Sequence, residues 1–202
     1  MKTSIFFLGL LSAATRFSAA PAAPAGPPCC AVELKPDAPL SARSIYLLDA
    51  AWTNDTGATF RLAALRGRPV VLAMFFAQCE YACPILVRDM SRVRASLPEA
   101  VRAQTQFVMV SFDTARDTPA ALRAYRERMA LDADWTLLRG DTAVVQELAM
   151  LLGVKFKQDA RGQFSHSNLF TVLNREGEIA HQQAGLQGEV SESVKAISRL
   201  VP

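Results

Sequence analysis

Among the 202 residues of this chain, two closely spaced cysteines and a single distant histidine are the groups best suited to do chemistry. Cys79-Glu80-Tyr81-Ala82-Cys83-Pro84 follows directly on the apolar run Val-Val-Leu-Ala-Met-Phe-Phe at 70–76. Such a run reads as a strand covered on both faces, and ligand and redox sites of α/β sheets gather at strand carboxyl ends. The gap of three residues separates the pair from the two-residue gap of an ordinary thioredoxin redox motif. A residue before proline avoids the α region, which predicts Cys83 at a helix N-cap and Pro84 as the first helical residue. Free amides and the positive end of the helix dipole would then stabilise the Cys83 thiolate, with Cys79 in the loop above.

Two adjacent thiolates support three chemistries. A disulfide requires the β-carbons within roughly 4.5 Å. A soft cation held by both sulfurs at about 2.3 Å each tolerates a wider and looser pair. Soft thiolates select Cu(I), zinc or iron–sulfur species over hard cations. A metal site calls for a third ligand, and the chain has only two histidines. His166 lies in Phe164-Ser165-His166-Ser167-Asn168, just before the apolar strand 169–173; it reads equally as a third ligand and as a loop histidine bonded to backbone. His181 follows a short strand, ahead of Gln182-Gln183, and reads as an exposed edge residue.

These groups need a scaffold and a compartment. The formal charge of +3 carries no basic block, which argues against a nucleic-acid partner. Residues 1–25 read as an export signal: Lys2, an apolar stretch at 5–14 well short of the ~20 residues a span needs, then small residues suited to cleavage. Residues 26–43, holding Cys29-Cys30 and several prolines, read as a flexible linker, and 44–202 as the folded domain. Export predicts a periplasmic location, where a dithiol oxidises unless metal or a reductase protects it.

Within that domain, 44–48 and 51–53 resemble an edge hairpin, followed by the turn Asn54-Asp55-Thr56-Gly57. After the strand at 70–76, a helix runs from Pro84 to about Ser96 with Ile85, Leu86, Val87, Met90, Val93 and Leu97 inward. A second strand covers 106–112 and a helix opens at Pro119, reaching about Met129. A third strand at 135–138 precedes a helix over 142–152 closed by Gly153. Strands at 169–173 and 178–180 form a hairpin around Asn174-Arg175-Glu176-Gly177, and an amphipathic helix covers 189–200. This alternation predicts an α/β layer fold.

The motif set resembles the Sco/SenC family of copper-binding proteins. The resemblance rests on Phe75-Phe76 before Cys79-x-x-x-Cys83-Pro84, on Val110-Ser111-Phe112-Asp113-Thr114-Ala115-Arg116-Asp117-Thr118-Pro119, and on His166-Ser167 ahead of a strand ending at Asn174-Arg175-Glu176-Gly177. It implies a thioredoxin-like three-layer sandwich, a central mixed sheet flanked by helices with an N-terminal hairpin. It further implies that Cys79, Cys83 and His166 bind copper, as Cu(I) or Cu(II). The implied activity is delivery to the binuclear copper centre of cytochrome c oxidase, with partners among a copper-accepting oxidase subunit, another copper chaperone and a thiol reductase. The interior Glu80-Tyr81-Ala82 departs from the Pro-Asp-Val type common in that family. A thiol–disulfide oxidoreductase using Cys79 and Cys83 is the alternative; a thiol peroxidase lacks the expected neighbouring Thr and Arg.

The remaining polar residues have plainer readings. Asp117 or Thr118 caps the helix at Pro119 and Asp113 bonds the turn, with ordering of a loop near the copper site as the alternative. Cys29 and Cys30 have no assigned role. Met74, Met90, Met109, Trp52 and Trp135 read as core, and Glu80 and Tyr81 as exposed or as facing a partner.

Overall fold

The computed structural model describes residues 39–202, so the expected signal segment, most of the linker and Cys29-Cys30 lie outside the described residues. Seven strands form one mixed sheet in the order β2-β1-β5-β4-β3-β8-β9. Its centre is built from β3 (Val70–Phe75), β4 (Gln106–Ser111) and β5 (Trp135–Arg139), all parallel. Every residue of β3 is buried, as the unbroken apolar run requires of a central strand. Phe75 sits opposite Ser111 at the last rung of the β3–β4 ladder, so both chains leave the sheet side by side.

Helices cover the sheet as expected. α1 (Ala82–Ser96) buries Ile85, Leu86, Val87, Met90 and Val93, and packs on α5 (Ser191–Leu200) and on β8 (Leu169–Leu173). A short α2 (Glu99–Arg102) follows. α3 (Pro119–Arg128) lies against β5 and β1 (Trp52–Asn54); the Thr118 hydroxyl caps it by accepting the Ala121 N–H. α4 (Thr142–Leu152) ends at Gly153, whose φ of 69° is the left-handed conformation that closes a helix. Met74, Met90, Met109, Trp52 and Trp135 are core, as read from the pattern. Burial of a side chain the size of Phe75 contributes about 2–3 kcal/mol.

Three expectations need correcting. Residues 44–48 are not a strand: Ile45–Leu47 form a 3-10 turn whose Ile45 N–H reaches the Gly177 carbonyl. The N-terminal hairpin instead joins β1 to β2 (Thr59–Phe60) around Asn54–Gly57. There Asn54 Oδ1 collects the N–H groups of Thr56 and Ala58, a side-chain-closed turn that outweighs the weaker strand pattern upstream. Pairing of β8 with β9 (Ile179–Ala184) extends further along the chain than the expected 178–180. The third correction is an added element: β6 (Phe156–Gln158) and β7 (Phe164–His166) form a separate two-stranded hairpin, and His166 ends its second strand rather than lying in a loop.

Candidate metal centre

The carboxyl end of β3 delivers the first cysteine. Beyond Phe75 the chain turns, with the Cys79 N–H on the Phe76 carbonyl at 3.1 Å, and enters α1 at Ala82. Cys83 is therefore not the N-cap; it sits inside the first turn, with Pro84 next to it. The first-turn amides have no intrahelical acceptor, so a proline there sacrifices no hydrogen bond and the pre-proline restriction yields.

The capping acceptor is the other sulfur. Cys79 Sγ accepts the Cys83 backbone N–H at 3.2 Å. The helix end thus stabilises charge on Cys79, the reverse of the expected assignment. A hydrogen bond from the Cys83 thiol is the largest influence and takes the Cys79 pKa down to about 3; bonds from His166 and from the Cys83 and Tyr81 amides add to it against burial. Cys83 is pushed up, first by that same shared bond and then by burial. One sulfur holds the charge and the other holds the proton. Cys79 is also the more accessible, at 9% exposure against none for Cys83. Both cysteines are free.

The β6–β7 hairpin brings the imidazole. His166 Nε2 lies 3.8 Å from Cys83 Sγ, close to the roughly 3.7 Å expected for sulfur and nitrogen on one trigonal ion with ordinary bond lengths. All three donor atoms fall within 4.8 Å of one another. Nδ1 faces the Ser167 carbonyl at 3.0 Å; a carbonyl only accepts, so Nδ1 carries a proton and Nε2 is directed to the sulfurs. Burial lowers the His166 pKa, but bonds to Cys79 and to the Ser167 carbonyl outweigh it and the net shift is upward.

Aromatic packing fixes the hairpin to the sheet's end. Phe76 and Phe112, the residues just beyond β3 and β4, pack on Phe164 with ring centroids 5.2 and 5.0 Å away, and Phe112 stacks on Phe156 at 4.9 Å. The His166 ring lies 5.2 Å from Phe112. Arg116 completes the attachment: its Nε binds Asp113 and its Nη2 donates to the Gly162 carbonyl at the hairpin turn. Asp113 thus both bonds its own turn and holds the arginine that anchors the histidine's hairpin.

Asp117 is not the helix cap. Its Oδ2 accepts the Ala77 N–H at 2.8 Å and the Ser111 hydroxyl at 2.5 Å, joining the ends of β3 and β4 beneath the cysteine loop. Burial raises its pKa, held back by those two bonds. Sequence reasoning missed this tie; the only signal was an Asp placed before a Thr-Pro that already supplies the cap. His181 lies on the edge strand β9, half-buried and outside the three-donor cluster. Tyr81 is 77% exposed beside the cysteines, and Glu80 is exposed as well. A cleft lined by Cys79, Tyr81, Phe164, His166 and Asn168 opens the centre to solvent.

Chemically, two sulfurs and one imidazole nitrogen form a soft donor set for a d¹⁰ cation. Comparison with known proteins gives the same picture. The family model described as SCO1/SenC matches residues 49–201. A Stutzerimonas stutzeri protein named "Putative copper-binding protein" is 31% identical over 150 residues, 72% of each chain. Among solved structures, a SCO1/SenC family lipoprotein from Bacillus anthracis superposes with a TM-score of 0.68 at 22% identity, over 75% of this chain and 92% of that one. Copper-bound ScoI of Bradyrhizobium japonicum gives 0.61 at 20%, over 75% and 96%. These structural likenesses establish the thioredoxin-like fold.

Proposed function

The chain belongs to the SCO1/SenC family, and we propose that it is a copper metallochaperone whose cargo is held by Cys79, Cys83 and His166. The observation that carries this reading is the convergence of the three donor atoms within 4.8 Å, although His166 stands 83 residues beyond Cys83. The donor set fits the cargo. Two thiolates suit Cu(I), and the imidazole, a ligand for either oxidation state, extends the site to Cu(II).

Loading draws on the asymmetry of the sulfurs. Cys79 meets the ion already ionised, Cys83 gives up its proton as its bond to copper forms, and His166 offers Nε2 while Nδ1 keeps its proton on the Ser167 carbonyl. Cys79, at the rim, is the natural sulfur to be shared with an incoming thiolate of the acceptor, so that copper passes by ligand exchange without being released to water. Oxidation of the pair to a disulfide removes both sulfur donors, so a thiol reductase is required as a partner. The acceptor we propose is the copper-carrying subunit of cytochrome c oxidase, as the family resemblance implies, or a second chaperone. A periplasmic location follows from the signal-like residues 1–25. No described helix is long and apolar enough to cross a membrane.

The low Cys79 pKa and its position at the rim also favour a second reading, a thiol–disulfide oxidoreductase with Cys79 as nucleophile. Anaerobic Cu(I) titration against a competing chelator, with the parent, Cys79→Ser and His166→Ala, separates the two. The chaperone predicts that Cys79→Ser loses Cu(I) and His166→Ala loses Cu(II). Unchanged binding of both ions in His166→Ala, with rapid thiol exchange retained, gives the site to the oxidoreductase.

A further inference from the structure

Ala77 lies two residues beyond the end of the β3–β4 ladder, and both of its peptide groups bond to side chains. The β3–β4 ladder ends at Phe75 and Ser111, and the Phe75 carbonyl is taken by the Phe112 N–H. Ala77 is 5% exposed, and buried peptide groups require partners. Side chains from the two ends of α3 supply them. Asp117, ahead of the helix, accepts the Ala77 N–H. Arg128, its last residue, donates from Nη2 to the Ala77 carbonyl at 2.5 Å.

We propose that Arg128 is a positioning residue for Cys79. Its guanidinium lies over the Tyr125 ring, 5.0 Å from the centroid, and that ring packs on Phe75, the last residue of β3. The arginine is thereby braced against the strand it serves. With both peptide groups of Ala77 held, the turn closed by Cys79 N–H on Phe76 O starts from a fixed plane. That plane aims Cys79 Sγ at the amino end of α1. The same side chain lines the cleft on Cys79's other flank, with Gln78, Glu80 and Met129. Asp117 is buried, whereas Arg128 is exposed and reaches a part-buried bond, so its loss spares the core and loosens the loop. Precise donor geometry of this kind depends on such supporting bonds.

The test compares Arg128→Met, which keeps the stem and removes the donors, with Arg128→Lys, which keeps a donor. The first measurement is the equilibrium of the Cys79–Cys83 couple with dithiothreitol, in which the reagent's two sulfurs join as the protein's disulfide takes up two protons and two electrons. The second is Cu(I) affinity by chelator competition, the only part that rests on the copper reading. Arg128→Met is expected to move the thiol equilibrium about tenfold toward the disulfide, because the Cys79 thiolate loses its aim at the helix end, and to weaken Cu(I) about tenfold, the scale of one charge-assisted hydrogen bond. Arg128→Lys, which keeps one charged donor, is expected to lose less than Arg128→Met in both measurements, with urea midpoints of the two variants alike. Parent-like behaviour of Arg128→Met in the thiol equilibrium overturns the proposal, as does an equal loss in Arg128→Lys. A parent protein that holds no Cu(I) defeats the copper reading and leaves the thiol measurement to decide this one.

Discussion

Arg116 Nη2 donates to the Gly162 carbonyl at 2.5 Å, so the residue that leads into α3 holds the turn of the hairpin whose far end is His166. The guanidinium is in turn fixed by Asp113 and lies 5.9 Å from the Phe164 ring. The histidine's hairpin is thus tied down at its opposite end as well as by its aromatic packing.

Removing that bond has a selective consequence. Arg116→Ala is expected to weaken Cu(II) binding by about tenfold, the worth of one charged hydrogen bond, and to leave Cu(I) binding within about threefold, because the sulfurs alone hold Cu(I) well. Parallel titrations of the two ions check it; equal losses for both would show that the hairpin does not act through His166.

The exchange of roles between the cysteines is measurable without metal. Cys79 is ionised above a pKa of about 3, so its alkylation rate in the reduced native protein should be nearly flat from pH 5 to pH 8. Cys83, pushed up and buried, should remain unmodified until the protein unfolds. Mass mapping of iodoacetamide adducts decides this. A Cys79 rate that climbs about tenfold per pH unit toward pH 8, as an ordinary thiol's would, contradicts the assignment.

Copper loading should depend on pH through the other two proposed ligands. Cys83 is protonated across the neutral range and its proton must leave, so apparent Cu(I) affinity should rise about tenfold per pH unit. His166, whose pKa is raised, adds to that slope at the acid end, since its charged form cannot ligate. Competition titrations from pH 6 to pH 8 should show the steeper acid portion in the parent and its loss in His166→Ala. A pH-independent affinity would mean that neither proton is displaced.

The aromatic attachment carries both stability and site geometry. Phe112 is 3% exposed and touches Phe76, Phe156 and Phe164. Phe112→Ala should cost about 3–5 kcal/mol, read from urea unfolding. It should weaken Cu(II) binding more than Cu(I) even at temperatures where the protein stays folded. A loss below about 1 kcal/mol would show that the hairpin is anchored elsewhere.

What the sequence determined by itself was local. An apolar run at 70–75, Pro119 after Thr118, and Gly153 after an amphipathic stretch each state their element through periodicity or backbone chemistry, and β3, α3 and α4 lie where those signals put them. The two cysteines were legible for a similar reason, since few residue types bind soft metals, whereas His166 read equally as ligand or loop histidine until the family resemblance singled it out. The β6–β7 hairpin was not legible, because two strands of three residues are too short for a period to emerge.

Tertiary structure alone decided how the site works. Which sulfur carries the charge depends on where Cys79 Sγ lies relative to the Cys83 amide, a through-space relation that spacing does not specify. The tie from Asp117 to Ala77 and the grip of Arg116 on Gly162 span 40 and 46 residues. Chain-local propensities shape each segment, but the energies that aim its side chains come from partners that only folding brings into contact.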